Sequence, residues 1–354
     1  MILDARTLVL LAIDVLSFGA ILVALVAGHR SRRRSLSEAA NAPASGRAGK
    51  GAAAGSLEEL ARLASLAAAA LVLLRILAWA LFFLVLDGLV PNFAAQGVMC
   101  PYGVVELSPV LARAALWSKP ATIALWLGWW ALASAERDTT TSAASRGGLA
   151  RRLASLPFLL ALTATELALE LLWLAADKQP LATLCCSAAR VAERAQAWDA
   201  PGSLFGLFDL SAPGSWLAPL GLWLAAKSGL VVFGLSTTRR AGGPHAGAAW
   251  MLAAASLAIG ALDLVTWREV LAPRALGLEF HRCAYELVTR SVALGPAALV
   301  AALAHLSFAV TPWLARAARR ESAAAGVERA SAALGRIVAL FLATEVVVVL
   351  VHAL

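Results

Sequence analysis

Eight runs of this chain are long and apolar enough to cross the hydrocarbon core of a bilayer, which takes roughly 20 residues of helix. They are 8–28, 68–90, 119–135, 155–176, 216–236, 249–267, 295–314 and 334–353. Lipid offers no partner to a backbone N–H or C=O, so such segments fold as helices, whose backbone groups bond within the segment. The chain therefore reads as all-α, a polytopic integral membrane protein of about eight transmembrane helices. Its balance agrees: 60% of residues are hydrophobic and 15% charged, where a soluble domain carries about a quarter charged.

Basic residues set the direction of the spans. Arg30, Arg32, Arg33 and Arg34 follow the first run instead of preceding it, which marks a retained span and not a cleaved leader. The segments 30–62, 136–156, 237–248 and 315–336 hold 18 Lys and Arg, against 10 in the segments on the opposite side. The richer side is cytoplasmic by the positive-inside rule, so both termini are expected to be periplasmic in a bacterial inner (cytoplasmic) membrane. The net charge of +8 then lies where loops meet anionic headgroups. The expected partners are the lipid bilayer and, on the cysteine-bearing face, a periplasmic protein; nucleic acid is not among them.

Both tyrosines of the chain stand two places after a cysteine, in Cys100-Pro101-Tyr102 and Cys283-Ala284-Tyr285. Each Cys-x-Tyr lies between an apolar run and a proline-led apolar run. Lys119-Pro120, Ala218-Pro219 and Gly295-Pro296 all read as starts of return helices, because proline's missing N–H is harmless in a first turn. An acid stands 20 places before a cysteine twice, Glu166 before Cys186 and Asp263 before Cys283, while Ala80 holds that place before Cys100. Three tandem helical-hairpin repeats follow from this register. The expected organisation is an N-terminal transmembrane helix (1–30), a flexible basic cytoplasmic loop (31–67), hairpin one (68–136), a cytoplasmic loop (137–154), hairpin two (155–240), hairpin three (247–316), a basic cytoplasmic loop (317–333) and a C-terminal transmembrane helix (334–354).

Ionisable residues inside spans cost roughly 2.5–3.5 kcal/mol each on insertion scales and so have partners or line polar cavities. Glu166, Glu170, Lys227, Asp263, His305 and Glu345 are of this kind. Matching their depths suggests two acid–base pairs, Glu166 with Lys227 and Asp263 with His305. Such pairs tie adjacent helices together, or carry protons or ions through the bundle. Arg75 and Asp14 read as residues near span ends whose charged tips snorkel.

All four cysteines, Cys100, Cys185, Cys186 and Cys283, fall on the side expected to be periplasmic, where disulfides form. Three chemistries fit. Two disulfides would tie the outer loops. Converging thiolates, completed by Met99 or His281, would hold a soft metal, copper as Cu(I) or structural zinc. Thiol–disulfide exchange would pass electrons between the outer thiols and a membrane quinone. Tyr102 and Tyr285 support this face, and Trp117, Trp173, Trp216 and Trp267 read as an interfacial aromatic belt. Trp126, Trp129 and Trp130 sit deeper, on a face for lipid or a hydrophobic ligand. Cys-x-x-Cys-His and paired in-span histidines are missing, which disfavours haem.

The leading expectation is a bacterial inner-membrane protein whose periplasmic-face cysteine cluster handles a soft metal ion or thiol–disulfide electrons. The alternative is a solute transporter or permease, with structural disulfides and intramembrane acid–base pairs for ion or proton coupling. A non-catalytic membrane scaffold subunit is the second alternative.

Overall fold

The computed structural model describes residues 5–41, 47–137, 143–178, 217–239, 245–276, 283–318 and 324–353. Every regular element among them is helical. The long helices are α1 (Ala5–Asn41), α2 (Arg47–Leu89), α3 (Pro109–Arg137), α4 (Ala143–Ala175), α5 (Leu217–Thr238), α6 (Ala246–Thr266), α7 (Leu294–Ala309) and α8 (Ala324–Ala353). Several run further than the apolar runs that seed them. Helix α1 continues to Asn41, and α2 already begins at Arg47, inside the expected 31–67 loop, whose alanines favour helix over any other backbone state.

Among the described residues, seven segments are long and apolar enough to cross a membrane: Ala5–Val23, Ser65–Leu89, Ser155–Ala175, Leu217–Thr238, Ala246–Ala275, Leu294–Arg316 and Ala330–His352. The eighth expected run, 119–135, falls in α3. That helix has 29 residues, about 43 Å at 1.5 Å per residue, but Arg113 and Lys119 dilute its hydropathy. Pro120 does not start it. Pro109 does, and Pro120 lies in the interior, where it removes the N–H that would otherwise bond the Leu116 carbonyl.

The long helices pack as two rings of four. In the first, α1 lies against α2, α2 against α3, α3 against α4, and α4 against α1; in the second, α5 lies against α6, α6 against α7, α7 against α8, and α8 against α5. The middle hairpin expected from sequence is thus divided, with α4 in one ring and α5 in the other. Helix α3 joins the rings by packing on α7, α8 and the short helix Thr311–Ala318.

The α2–α3 and α6–α7 connections resemble one another. After α2 come a 3₁₀ turn, Pro91–Gln96, closed by Gly97 at φ 84°, and then a short helix, Pro101–Glu106, with extended Cys100 at its N-cap. After α6 the chain passes through a π-helical turn, Trp267–Leu271, and Ala272–Ala275 before the short helix Ala284–Arg290, with Cys283 at its N-cap. Each Cys-x-Tyr therefore opens a short helix at the same end of the molecule.

Glycine allows a close approach between helices of the second ring. A Cβ on Gly234 of α5 would overlap the Phe308 ring of α7. Small residues at such crossings let helices pack without a hydrophobic driving force between them. Gly234→Leu should lower stability by about 1–3 kcal/mol through overpacking, whereas Gly229→Leu, on the same helix with open space beside it, should leave stability nearly unchanged. Thermal unfolding in detergent distinguishes the two variants, and equal losses would refute the assignment of this crossing.

Candidate functional site

Each ring closes on a buried group of ionisable side chains to which all four of its helices contribute. In the first ring these are Asp14 on α1, Arg75 on α2, Lys119 on α3, and Glu166 and Glu170 on α4, all at most 1% exposed. Arg75 Nη1 lies 2.8 Å from Asp14 Oδ1 and 3.3 Å from Glu166 Oε1. The Asp14 contact is an ion pair without hydrogen-bond alignment. Lys119 Nζ donates to Glu170 at 2.5 Å and to Glu166 at 3.3 Å, and the Thr122 hydroxyl donates to Glu166 Oε2 at 2.5 Å. Arg75 and Asp14 thus do not snorkel, and Glu166 pairs with Arg75 and Lys119 instead of Lys227, because α4 and α5 belong to different rings.

The second ring supplies Lys227 from α5, Asp263 from α6, His305 from α7 and Glu345 from α8. Lys227 Nζ donates to Asp263 Oδ2 at 2.6 Å and to Glu345 Oε2 at 2.5 Å. The expected Asp263–His305 contact is present, Nε2 to Oδ2 at 2.8 Å. Two indoles complete the carboxylates: Trp223 donates to Asp263 Oδ1 at 2.7 Å and Trp267 to Glu345 Oε1 at 3.2 Å. A fully hydrogen-bonded arrangement is what a buried charge group requires in a low-dielectric interior.

His305 stands where a proton has two exits. Its Nε2 is 3.1 Å from Lys227 Nζ and 2.8 Å from Asp263 Oδ2, and its Nδ1 is 3.0 Å from the Ser256 hydroxyl oxygen. With the proton on Nδ1, Nε2 accepts from Lys227; with the proton on Nε2, it donates to Asp263. Imidazolium would donate to Ser256 and Asp263 together. All three states find partners, which suits a proton relay. Gly260 makes room for the ring, since a Cβ there would lie 3.3 Å from His305 Cγ.

A pocket of about 470 Å³ opens between the rings beside this second group. Trp79, Phe83, Trp117 and Tyr285 supply aromatic wall, and Asp263, His305 and Glu345 form a polar floor. Lys227 lies behind that floor and does not line the pocket. Leu116 and Pro120 line it too, at the turn of α3 whose backbone bonding the proline interrupts. Trp117, Leu257 and Leu264, at the rim, are each more than half exposed. The last two lie on a helix segment long and apolar enough to cross a membrane.

Comparison with known proteins adds no family assignment. No family model, curated protein or solved structure matches the chain.

The two cysteines among the described residues are brought together. Cys100 and Cys283 are both buried, and the Cys283 thiol is in hydrogen-bond contact with Cys100. Tyr102 and Tyr285 pack over them with ring centroids 5.9 Å apart. No disulfide joins these two, and no group of three or more metal-ligating side chains occurs among the described residues. Met99 points into the surroundings at 57% exposure. Cys185, Cys186, His281 and Trp216 lie outside the described residues. Contact with Cys100, then burial, pushes the Cys283 thiol well above its ordinary value, and burial pushes Tyr285 up to about 12. Both groups stay protonated at neutral pH, the opposite of the exposed, acidified thiol that exchange chemistry favours.

Several assignments from sequence change. Trp173 and Trp267 are buried core residues and not interfacial rings, and Trp126 and Trp129 are buried while Trp130 is partly exposed. Lys119 was legible only as the residue before a proline, yet it sits at the centre of the first charge group. The signal was in α4: Glu166 and Glu170 are one helical turn apart, and two buried acids on one face demand bases from neighbouring helices.

Removing one member of such a group leaves the others uncompensated. Lys227→Met should cost roughly 3–5 kcal/mol by stranding Asp263 and Glu345, read as a lowered unfolding midpoint in detergent; a shift within about 0.5 kcal/mol would contradict this packing. Because its thiol is held protonated, Cys283 of the wild-type protein, followed by peptide mass spectrometry, should alkylate roughly tenfold more slowly than a free thiol at pH 8, with the rate still rising through pH 9. A plateau at or below pH 8 would show an acidified thiol instead.

Proposed function

We propose that this protein is a membrane carrier or permease for a lipophilic solute, coupled to proton movement through Lys227, Asp263, His305 and Glu345. The observation that carries the reading is the pocket of about 470 Å³, which has an aromatic wall, a polar floor and exposed lining leucines on an apolar span. Its size falls in the roughly 300–1,000 Å³ range of drug-sized ligand sites. Ionisable residues at membrane depth mark substrate or ion pathways as a rule, and the imidazole here has partners in every protonation state. The solute enters from the hydrocarbon through the rim at Leu257 and Leu264, and its polar end meets the floor.

In this reading the chain crosses a bacterial inner membrane eight times, with α3 as the crossing whose apolarity is diluted by Lys119, and both termini lie in the periplasm. The repeat unit is a ring of four helices and not a hairpin. Ala164-Thr165-Glu166 on α4 and Ala343-Thr344-Glu345 on α8 then hold the same place in successive units, as do Cys100 and Cys283. The contact between those two thiols favours a second reading, a thiol-redox membrane component. The high Cys283 pKa makes it the weaker of the two. A soft-metal version would draw its further ligands from Cys185, Cys186 or His281.

The carrier reading is tested in proteoliposomes loaded with a pH-sensitive dye, challenged with gradients of aromatic solutes. Wild-type protein should couple solute entry to a change in internal pH, and Asp263→Asn, which keeps the shape of the side chain, should reduce that coupling at least tenfold. Solute movement equal to that of protein-free vesicles would sink the proposal.

A further inference from the structure

Resting on the carrier reading, we infer that the solute is a lipophilic monocation, of the amine or onium class, whose charged centre sits against Asp263 and Glu345. The charge of the second group points to it. Lys227 contributes one positive charge against two carboxylates, so with His305 neutral the group carries a net −1. Lys227 does not line the pocket, and the members of the group that do are two carboxylates, Asp263 and Glu345, and one imidazole, His305. An uncompensated charge in a low-dielectric interior is costly. A cation entering the pocket offsets it, while an anion would add a second uncompensated charge.

The walls favour the same class. Trp79, Phe83, Trp117 and Tyr285 line the pocket, and aromatic rings attract cations through their quadrupoles, most strongly where water is excluded. Pro120 takes away the helical N–H partner of the carbonyl of Leu116, another lining residue.

Cation and proton then compete for one deficit. Without solute, imidazolium at His305 or a protonated carboxyl balances the group; with a monocation bound, that proton is surplus and leaves. Binding therefore releases up to one proton per cation, which is the stoichiometric basis for exchange of the two across the membrane.

The test uses the full-length protein in nanodiscs and three probes of similar size: tetraphenylphosphonium, tetraphenylborate and neutral triphenylphosphine oxide. Saturable binding is measured above that of empty nanodiscs. Tetraphenylphosphonium should bind at least tenfold more tightly than either other probe, and its binding in weak buffer should release protons. Glu345→Gln should weaken it at least tenfold; because that variant can also misfold, the comparison of probes on wild-type protein decides. Tighter or equal binding of the borate or the neutral probe would overturn the cation assignment and leave the carrier site standing. Absence of saturable binding by all three would overturn both.

Discussion

Charge that cannot reach water organises this molecule. Nine ionisable side chains that would be prohibitive singly at membrane depth are gathered into two groups: Asp14, Arg75, Lys119, Glu166 and Glu170 in one, and Lys227, Asp263, His305 and Glu345 in the other. Each group draws on every helix of its ring. Van der Waals packing alone discriminates weakly among apolar helices in lipid, whereas a buried lysine that must find two carboxylates admits few arrangements. The groups thereby specify which helices are neighbours, and the division of the chain into two rings follows from where the partners lie.

The two groups differ in what surrounds them, and that difference separates structure from function. The first is enclosed by the packed helices α1 to α4, with Phe82 beneath Lys119 at 5.3 Å from the ring centroid. The second forms the floor of a cavity at the junction of the rings. It also contains the one imidazole of the two groups. The first group reads as a clasp, and the second as a clasp with an open side, the side at which solute and proton meet in the proposed carrier. Tyr285 lines the cavity while packing on Tyr102, so the Cys-x-Tyr segments add to the contact that α3 makes between the rings.

The sequence made the elements legible and left their partners obscure. Apolar runs of about 20 residues give helices directly, since lipid permits little else, and seven of the eight expected runs are long and apolar enough to span. The run 119–135, expected as a span, falls short of the others in apolarity because it carries the lysine that makes α3 important. Asp263 with His305 was readable because the two sit at matching depths on consecutive helices. Glu166 with Lys227 satisfied the same rule and was wrong, because depth says nothing about which helices are adjacent. The Cys-x-Tyr coincidence marks two similar connections, α2–α3 and α6–α7, whose cysteines come into contact with each other. The recurrence of Ala-Thr-Glu in α4 and α8 carries the proposal of a four-helix unit.

The central claim is that ion pairing within each ring, and not between them, holds the helices in register. A double-mutant cycle measures this directly. Lys227→Met combined with Glu345→Gln should show a coupling energy above about 1 kcal/mol in unfolding measurements, while Lys227→Met combined with Glu166→Gln should be additive within about 0.5 kcal/mol. Strong coupling of Lys227 to Glu166, with none to Glu345, would contradict the two-ring arrangement and restore the hairpin pairing.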